Sequence, residues 1–595
     1  MNIRDKVYLE LKKVCDDLGI PTDKLEVSRS EFADYSSPIA LRFAKDLQKS
    51  PFEIVQLIRD KLIGNDFFQG GELEGSVDNS GFVNLWVNQK IWQNEVVNVL
   101  NSAKRYGTND KGKGKKARVE FVSANPTGPL HFGNARGGPI GDTLARVLEA
   151  SGYDVLREYL HNDVGEQVRK LGESILNVAK GAKLEDQEYK GEYIRELAER
   201  ILGPVSSFLP ASAHSSKKLE TKSDSKSEEL RAEGSPSRTA TQNLSVSDIG
   251  KRATDLMLDE TLVDCEAMGI KFDKVYLESG FVSSGDTERA LKELKEKGVL
   301  KEKDGATWFA PSDEFLKDRE TVVVKSDGSY TYFSNDIAYH KIKFSEGYDL
   351  VVDIFGANHH GHVPRLQAVI KALGGDVSRF HVILYQWVRF KKGGEVLAMS
   401  KRSGNFITAK EILEMVGPDA VRFFVLMHDP NSHIDFDLDL AREKSNKNPV
   451  FYVQYAHARI CSILAKAPMS VILSASEGSK AKDSSSSTQN DNKMNYSVLV
   501  FSYELALIKK ITQLPELVED IASNFGVNAL TTYATELADT FHKFYENCRV
   551  LPSDDETKEQ VSEELTLARL ALVDATRITL ANTLRLLGIS APEKM

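Results

Sequence analysis

The sequence predicts an α/β protein, with a Rossmann-type parallel-sheet domain in the middle, an α+β domain before it and an all-helical domain after it. The length of 595 residues, with 41% hydrophobic residues, is enough for three or more domains that each bury a core. In the middle of the chain, short β-rich runs alternate with amphipathic helical stretches, which is typical of a parallel sheet. Beyond about residue 445 the strand signals stop and helical periodicity continues.

The N-terminal domain is expected to cover residues 1–105. Helical periodicity runs over residues 3–18 and 38–64, and the stretch GFVNLWV at 81–87 reads as a strand. This mixture of helix and strand predicts a small α+β domain.

The central domain is expected to cover residues 106–444 and the helical domain residues 445–595. Four runs in the central domain have strand character: RVEFV at 118–122, DVLREYL at 154–160, DLVVDIF at 349–355 and FHVILYQW at 380–387. Four stretches of the last domain have the apolar period of helices: 447–465, 497–513, 528–548 and 562–587.

Two segments interrupt this pattern, one at residues 206–247 and one at residues 474–493. Both are rich in serine and charged residues and poor in large apolar side chains. Such a composition cannot bury enough apolar surface to offset the entropy lost on ordering. We expect mobile insertions within folded domains, and surface linkers without function are the simplest interpretation.

Composition narrows the function classes. The formal net charge is −10, so any binding of nucleic acid would depend on a local basic surface. The four cysteines lie far apart, which argues against a disulfide framework or a zinc site. The acidic N-terminus does not resemble a targeting peptide, and no apolar stretch reaches the roughly 18 residues of a membrane span. We expect a soluble cytoplasmic protein.

The stretch SANPTGPLHFGNARGGPIGD runs from Ser123 to Asp142 and follows a predicted strand. A strand, a glycine-rich loop and a helix N-terminus form a phosphate-binding arrangement, because free N–H groups and the helix dipole face the ligand. Gly133 allows a nucleotide close to the backbone. His131 and Asn134 can donate hydrogen bonds to a phosphate as its charge develops. The helix is expected to bury one face: Ala135, Ile140, Leu144, Val147 and Leu148. The alternative is a tight turn whose histidine only caps the helix.

A second loop, EVLAMSKRSGNFIT at 395–408, places Lys401 beside Ser400, Ser403 and Gly404. A lysine on such a loop can bind a triphosphate and neutralise the negative charge of the pyrophosphate as it leaves. The alternative is an ordinary exposed basic turn.

Together the two loops resemble the HIGH and KMSK signatures of class I aminoacyl-tRNA synthetases, with HFGN in place of the first and MSKR in place of the second. Asn134 replaces the second histidine and keeps a hydrogen-bond donor but not the imidazole, and Ala398 replaces the first lysine. The resemblance implies that His131, Asn134 and Lys401 are catalytic. It also implies ATP as a substrate, with Mg²⁺ bound to it, and an ATP site with these residues: Gly128, His131, Gly133, Asn134, Met399, Ser400 and Lys401.

Several longer stretches narrow the resemblance to arginyl-tRNA synthetases. They include VEFVSANPTGPLHFGNARGG, GSYTYFSNDIAYHKIKF, GANHHGHVPRLQAVIKALG, NPVFYVQYAHARICSI and LANTLRLLGISAPEKM, in family order from about Phe32 to Met595. The implied arginine site consists of these residues: Glu120, Ser123, Asn125, Tyr332, Asp336 and His359.

Physical chemistry agrees with an arginine site. The guanidinium group is a planar cation with five donors, and it prefers carboxylates and aromatic faces. Tyr332 and Asp336 are four residues apart, so they face one side of a helix. We expect Asp336 to accept guanidinium hydrogen bonds beside Tyr332, and Asn125, with Glu120 as a further candidate, to bind the α-amino end. The alternative is an ordinary helix cap with a packed tyrosine. No structural metal is expected, because NHHGH at 358–362 lacks an acidic partner at clear spacing.

The resemblance also implies tRNA as a partner of a monomeric enzyme. It makes the C-terminal helices an anticodon-binding domain and the N-terminal domain a contact for the outer corner of tRNA. The candidate tRNA-binding residues are Tyr452, Tyr455, His457, Arg459 and Arg577, which suit stacking on bases and contact with phosphates. Helix packing is the alternative for each of them.

Two other functions stay open. Another class I synthetase or a related nucleotidylyltransferase could use the same two loops. A synthetase-like RNA-binding protein without activity is the other alternative, against which the intact His131, Gly133 and Lys401 argue.

Overall fold

The structure is a computed structural model that describes most of the chain. The described residues are 1–69, 81–203, 244–312, 314–316, 319–397, 407–467, 494–552 and 561–595. They form two compact units: unit 1 combines residues 1–113, 146–153 and 443–595, and unit 2 combines residues 114–145 and 154–442. The domain limits predicted from the sequence, after residues 105 and 444, stay predictions.

The N-terminal part of unit 1 is the expected α+β mixture. Its elements are α1 Ile3–Asp17, β1 Ser28–Arg29, β2 Tyr35–Ser37, α2 Ile39–Phe43, α3 Pro51–Leu62, β3 Val83–Leu85 and α4 Gln89–Ser102. The strands pair antiparallel in the order β1-β2-β3. The helical periodicity over residues 38–64 corresponds to two helices, because Ser50 caps a new helix with a capping box and Pro51 is its first residue.

The core of unit 2 is a five-stranded sheet of order β11-β10-β4-β5-β6, in which every neighbouring pair is parallel. Its strands are β4 Lys116–Glu120, β5 Asp154–His161, β6 Lys274–Leu277, β10 Leu350–Gly356 and β11 Phe380–Tyr385. The chain moves outward from β4 in both directions, so the strand order reverses beside β4. The predicted Rossmann-type sheet is confirmed.

Helices and two small sheets complete unit 2. The helices are α5 Phe132–Ala135, α6 Gly137–Ala150, α7 Glu166–Ala179, α8 Tyr193–Leu202, α9 Val246–Ala267, α10 Glu278–Ser283, α11 Asp286–Glu296, α12 Tyr332–Ser345, α13 Val363–Ala372, α14 Ala409–Val416, α15 Pro418–Leu426 and α16 Leu438–Arg442; α6 extends into unit 1. The small sheets contain β7 Leu300–Lys303, β8 Ala306–Phe309 and β9 Thr321–Val324, and β12 Val388–Lys392, β13 Glu395–Val396 and β14 Ile434–Asp437.

Helices α7 and α9 approach each other closely because glycines lie at their contact. A Cβ atom at Gly172 would lie 2.2 Å from the carbonyl of Val246, and one at Gly250 would lie 2.3 Å from the carbonyl of Val168. Both positions therefore require glycine. Helix α9 also corrects the predicted insertion, since Ser245 caps this helix and residues 246–247 lie in its first turn. Residues 206–243 of that insertion, and all of the second one, lie outside the described residues.

The C-terminal part of unit 1 is helical, as expected. Its helices are α17 Pro449–Lys466, α18 Ser502–Ile511, α19 Leu514–Asn524, α20 Ala529–Asn547 and α21 Glu563–Leu587. No helix in the described ranges of the chain has the length and apolar character that crossing a membrane requires.

A buried carboxylate joins the two parts of unit 1. Glu516 accepts hydrogen bonds from the Tyr35 hydroxyl at 2.6 Å, from Arg29 Nε at 2.8 Å and from the Arg4 backbone at 3.2 Å. Its side chain is only 3% exposed. Glu516 thus fixes the N-terminal strands to helix α19.

Replacing Glu516 by alanine is expected to destabilise unit 1 by about 2–3 kcal/mol, because it leaves Arg29 and Tyr35 without their acceptor. Asp520→Ala is the matched control, since Asp520 pairs with Arg4 but is 47% exposed, and surface pairs contribute less than about 1 kcal/mol. Calorimetric unfolding of the two variants measures the difference. Equal destabilisation by both variants would contradict this role of Glu516.

Candidate active site

A cavity of about 730 Å³ lies at the carboxyl ends of the central strands of unit 2. Glu120 at the end of β4, Gly356 at the end of β10 and Tyr385 at the end of β11 border it. The cavity thus lies beside β4, where the strand order reverses. In open parallel sheets this position is the usual ligand site.

Two tyrosines hold the glycine-rich loop that follows β4. The hydroxyl of Tyr159 donates to the Ala124 carbonyl at 3.1 Å, and that of Tyr193 donates to the Thr127 carbonyl at 2.7 Å. A Cβ atom at Gly128 would lie 3.2 Å from the Tyr193 ring, so glycine permits this close contact. The loop is a fixed wall of the cavity.

The backbone is strained where β4 enters this loop. Val122 and Ser123 have φ angles of 70° and 34°, in the left-handed region that β-branched residues rarely adopt. The Ser123 hydroxyl oxygen accepts a hydrogen bond from the backbone of Leu160 at 3.1 Å and helps to hold this conformation. Strain of this kind concentrates at functional sites.

The Nδ1 atom of His131 accepts a hydrogen bond from within the glycine-rich loop. The histidine is the N-cap of α5, and the donor to its Nδ1 is the Gly133 backbone N–H at 2.8 Å. In the neutral imidazole the proton therefore lies on Nε2. The helix-capping interpretation of His131 is confirmed, and its role as a donor to phosphate stays a prediction. His131 and Asn134 border the cavity, and the expected buried face of the helix is confirmed.

The end of the second loop lies against the glycine-rich stretch. Phe132 donates its backbone N–H to the carbonyl of Ile407 at 3.2 Å, and Ala409 donates to Leu130 at 2.8 Å. These bonds flank His131. The predicted ATP contacts Met399, Ser400 and Lys401, like Ala398, lie outside the described residues.

Helix α12 carries the two predicted guanidinium contacts. Asp336 is 4% exposed, and its Oδ2 lies 3.1 Å from Nε2 of His362. The ring of Tyr332 lies 6.2 Å from the same imidazole, so the two side chains share one side of the helix. The charge on Asp336 raises the pKa of Tyr332 well above its usual value. The helix-cap alternative is excluded, because Thr331 occupies the cap.

Asn125 and His359 also border the cavity. Asn162 donates to the side-chain oxygen of Asn125 at 2.8 Å and borders the cavity too. The ring of His359 stacks on Phe355 at 5.5 Å, and burial lowers the pKa of this histidine, which keeps it neutral at pH 7. These neutral polar groups add hydrogen-bonding capacity to the cavity wall.

Glu120 borders the cavity and belongs to a buried ionic cluster. The carboxylate oxygens of Glu120, Glu158 and Asp353 lie within 4.8 Å of one another, a spacing that could hold a metal ion. The ammonium nitrogen of Lys343 occupies this space, at 2.5, 3.5 and 2.6 Å from the three groups. The lysine supplies the cation, and within the described part of the chain no other such metal-ligating group occurs.

Three family profiles together match nearly the whole chain. "Arginyl tRNA synthetase N terminal domain" matches residues 1–87, "tRNA synthetases class I (R), catalytic domain" matches 95–202 and 211–428, and "DALR anticodon binding domain" matches 453–595. The chain is 39% identical over 603 residues to the arginine–tRNA ligase of Carboxydothermus hydrogenoformans, with 100% of this chain and 96% of that protein covered.

This chain belongs to the arginyl-tRNA synthetase family. It is also 38% identical to the arginine–tRNA ligase of Citrifermentans bemidjiense over 575 residues, 96% of this chain and 94% of that protein. The fold is similar to the arginyl-tRNA synthetase of Thermus thermophilus, with a TM-score of 0.72, 22% identity and full coverage of both chains. The resemblance drawn from the sequence is confirmed, and so is the predicted fold class.

Sequence reasoning missed four residues around the cavity. Asn162 and Tyr193 contact the glycine-rich loop, and Lys343 contacts Glu120. The fourth is Glu278, which follows β6, is 5% exposed and accepts a hydrogen bond from Asn335 at 2.7 Å. The sequence carries no signal for Glu278, because β6, the strand directly before it, is not among the predicted strands.

A second cavity, of about 1090 Å³, lies between helices of the C-terminal domain. Tyr455 and Arg459 border it, and the Arg459 guanidinium lies 4.5 Å from the centre of the Tyr545 ring. Lys466 and Arg549 add positive charge to the rim. This combination of aromatic rings and cations suits a nucleobase and its phosphate.

The other predicted tRNA contacts lie outside this cavity's lining. Tyr452 is half-buried, with its ring 5.1 Å from that of His542. Arg577 is half-buried and donates to Asp574 at 2.8 Å. His457 is 3% exposed, and its Nδ1 lies 2.9 Å from the carbonyl of Pro592. Its ring therefore packs within the domain and is not presented to a partner.

Proposed function

We propose that the protein ligates L-arginine to the 3′-terminal ribose of a tRNA, with ATP as the energy source. The observation that carries this is one cavity lined by a fixed glycine-rich loop, the donors His131 and Asn134, and Tyr332 of helix α12. The buried carboxylate Asp336 lies one helical turn after Tyr332 on the same helix. Full-length similarity to arginine–tRNA ligases supports the same reaction.

The reaction has two steps. A carboxylate oxygen of arginine attacks the α-phosphate of ATP, and the bond from that phosphorus to pyrophosphate breaks. A ribose hydroxyl of tRNA then attacks the adenylate carbonyl, AMP leaves with the bonding electron pair, and the hydroxyl proton passes to solvent. Neither step uses a protein nucleophile, so catalysis comes from positioning and charge stabilisation.

Around ATP, His131 Nε2–H and the Asn134 amide donate to the reacting phosphate. Gly128 and Gly133 belong to the same ATP site. A Cβ atom at Gly133 would lie 2.8 Å from His131 Nδ1, so glycine there leaves room for the imidazole. Mg²⁺ would arrive on the ATP phosphates, since the one described metal-ligating group is already filled by Lys343.

Around arginine, Asp336 and Tyr332 bind the guanidinium group. Asn125 and Glu120 bind the α-amino end. Ser123 shapes the backbone beside them, and His359 contributes a neutral polar contact. A neutral analogue such as citrulline would leave the buried Asp336 poorly paired, which is costly.

Lys401 and its neighbours Met399 and Ser400 complete the ATP site in this proposal. Lys401→Ala is expected to lower kcat for adenylate formation by about 10²–10³-fold with little change in KM for arginine, since its charge acts in the transition state. Lys392→Ala, a lysine on strand β12, is the control. Full activity of Lys401→Ala in pyrophosphate exchange would contradict this role.

The second cavity binds the tRNA partner in this proposal. Tyr455 and Arg459 stack on and neutralise single-stranded nucleotides, and Tyr452 and Arg577 contact the same RNA at the domain surface. The protein acts as a monomer in the cytoplasm. Its four cysteines lie far apart in the sequence, which is in keeping with that reducing compartment.

The deciding experiment is pyrophosphate exchange into ATP with each amino acid, with and without bulk tRNA. Exchange with arginine alone would support the proposal, and the family resemblance implies that it requires tRNA. Exchange with another amino acid would leave a class I synthetase and refute the arginine site. Binding of tRNA without any exchange would favour an RNA-binding protein that has lost activity.

The affinity for arginine is expected to fall as the pH drops below 7. Burial raises the pKa of Glu278 to about 7, and although Asn335 opposes the shift, the charges on Asp336 and Asp163 add to it. Below this pH Glu278 is neutral and attracts the guanidinium less. KM for arginine should therefore rise by up to about tenfold per pH unit. A pH profile of KM measures this effect, and Glu278→Gln should flatten it. An unchanged profile in the variant would exclude Glu278 as the titrating group.

A further inference from the structure

Lys343 is a fully buried cation that the proposed reaction does not use. It lies on α12, about two helical turns after Asp336, and its exposed fraction is 0%. Its ammonium group donates to Glu120 Oε2 at 2.5 Å and to Asp353 Oδ1 at 2.6 Å. One helix therefore carries both the predicted guanidinium contact and the lysine that holds Glu120.

The two oxygens of Glu120 have different surroundings. Oε2 is held by Lys343. For Oε1, no hydrogen bond occurs to any group in the described part of the chain, and Glu120 borders the cavity. With one oxygen fixed by the lysine, the other is available to a cation in the cavity.

The cluster is short of positive charge. It contains three buried carboxylates, Glu120, Glu158 and Asp353, and two cations, Lys343 and Arg118. Arg118 binds Glu158 and also Glu346, so it does not neutralise Glu120. Asp353 has a second polar neighbour, His340, whose Nε2 lies 3.1 Å from Asp353 Oδ2. Tyr339 packs under the ammonium, with its ring centre 4.3 Å from Nζ.

The arginine substrate carries two cations, the α-ammonium and the guanidinium group. The position of the reacting carboxylate decides which of them lies beside Glu120. The reacting carboxylate must lie beside the α-phosphate and hence near His131. The α-ammonium is one carbon from that carboxylate. Glu120 ends β4, directly before the loop that leads to His131, whereas Asp336 lies on α12. The α-ammonium is therefore the partner of Glu120, and the guanidinium is the partner of Asp336.

We propose that Lys343 is a positioning residue for arginine recognition, which holds one oxygen of Glu120 so that the other binds the substrate's α-ammonium group. The inference rests on the proposed function. Binding of the α-ammonium supplies the positive charge that the buried cluster lacks. Burial raises the pKa of Glu120 even beside Lys343, in accord with that deficit.

The test compares Lys343→Met with Lys341→Met in pyrophosphate exchange. Lys341 lies on the same helix but pairs with Glu293 at 2.7 Å and is 35% exposed. Because Lys343→Met leaves three carboxylates around one cation, the double variant Lys343→Met/Asp353→Asn removes one charge of each sign and gives a second, charge-balanced protein. Thermal unfolding and tRNA binding establish that each variant is folded.

The expected result is a rise of at least about tenfold in KM for arginine in both Lys343 variants, with kcat and KM for ATP changed less than about twofold. Lys341→Met should match the wild type. Inhibition by agmatine, which keeps both cations, should weaken by the same factor as arginine binding. Inhibition by 5-guanidinovalerate, which lacks the α-ammonium, should not change.

Three results would overturn the inference. One is an unchanged KM for arginine in a folded Lys343 variant. Another is an equal loss of arginine affinity, ATP affinity and stability, which a purely structural lysine would produce. The third is equal weakening of agmatine and 5-guanidinovalerate. If the wild-type protein itself shows no arginine-dependent exchange, the proposed function fails, and that outcome is distinct from all three.

Discussion

Replacing Asp336 by asparagine is expected to lower kcat/KM for arginine by about 10²–10³-fold, equal to about 3–4 kcal/mol, and to leave KM for ATP unchanged. The carboxylate is 4% exposed, so its charge acts in a low-dielectric site with little competition from water. Asparagine keeps the volume and one acceptor oxygen. It loses the charge and places an N–H group where the guanidinium also presents donors.

The measurement is pyrophosphate exchange at varied arginine and ATP concentrations in the presence of tRNA. Glu293→Gln is the matched control, since that carboxylate pairs with Lys297 and Lys341 on the outer side of neighbouring helices. If Asp336→Asn retained normal arginine affinity, the guanidinium would have to bind elsewhere. A loss of ATP affinity of the same size would indicate a collapsed cavity instead.

A variant of His362 provides a second control for the Asp336 prediction. Without substrate, its Nε2 lies 3.1 Å from Asp336 Oδ2, so the carboxylate already has one polar neighbour. His362→Ala should therefore change arginine affinity much less than Asp336→Asn, because it removes a neighbour and keeps the charge. The pair of variants separates the charge of the carboxylate from the packing around it.

Most of the fold could be predicted from local sequence because local forces dominate there. Strands β10 and β11 are mostly apolar, and four of the five central strands, all but β6, lie within a few residues of the predicted runs. Strand β6 and helix α19 are not among the predicted elements, and the sequence predicts uninterrupted helical periodicity over residues 38–64. The apolar period continues through that range, but the cap at Ser50 and the following proline restart the helix.

The candidate site could be predicted only where its chemistry is local. The composition of residues 123–142 predicts the glycine-rich loop, and the four-residue spacing of Tyr332 and Asp336 predicts that they share one side of a helix. Glu278 and Lys343 contribute through contacts with residues 57 and 223 positions away in the chain. No local pattern encodes such pairs, because the order of the strands in the sheet brings them together. Lys343 in particular reads as an ordinary helical lysine until its burial is known.

Replacing His131 by alanine is expected to lower kcat for adenylate formation by about 10²–10³-fold with little change in KM for arginine. The hydrogen bond from the Gly133 backbone to Nδ1 places the proton of the neutral ring on Nε2, which is the donor to the phosphate in the proposed reaction. Alanine removes both the donor and the helix cap. The variant alone therefore cannot separate catalysis from stability.

His131→Asn separates the two roles. Asparagine is a good N-cap and should recover the roughly 1 kcal/mol of stability that alanine loses. Its amide is shorter than the imidazole and does not reach the position of Nε2, so the rate should stay low. Thermal unfolding and pyrophosphate exchange on the same three proteins test this. If asparagine restored the rate along with the stability, the histidine would act only as a cap. Stabilisation of the transition state would then depend on Asn134 and the second loop.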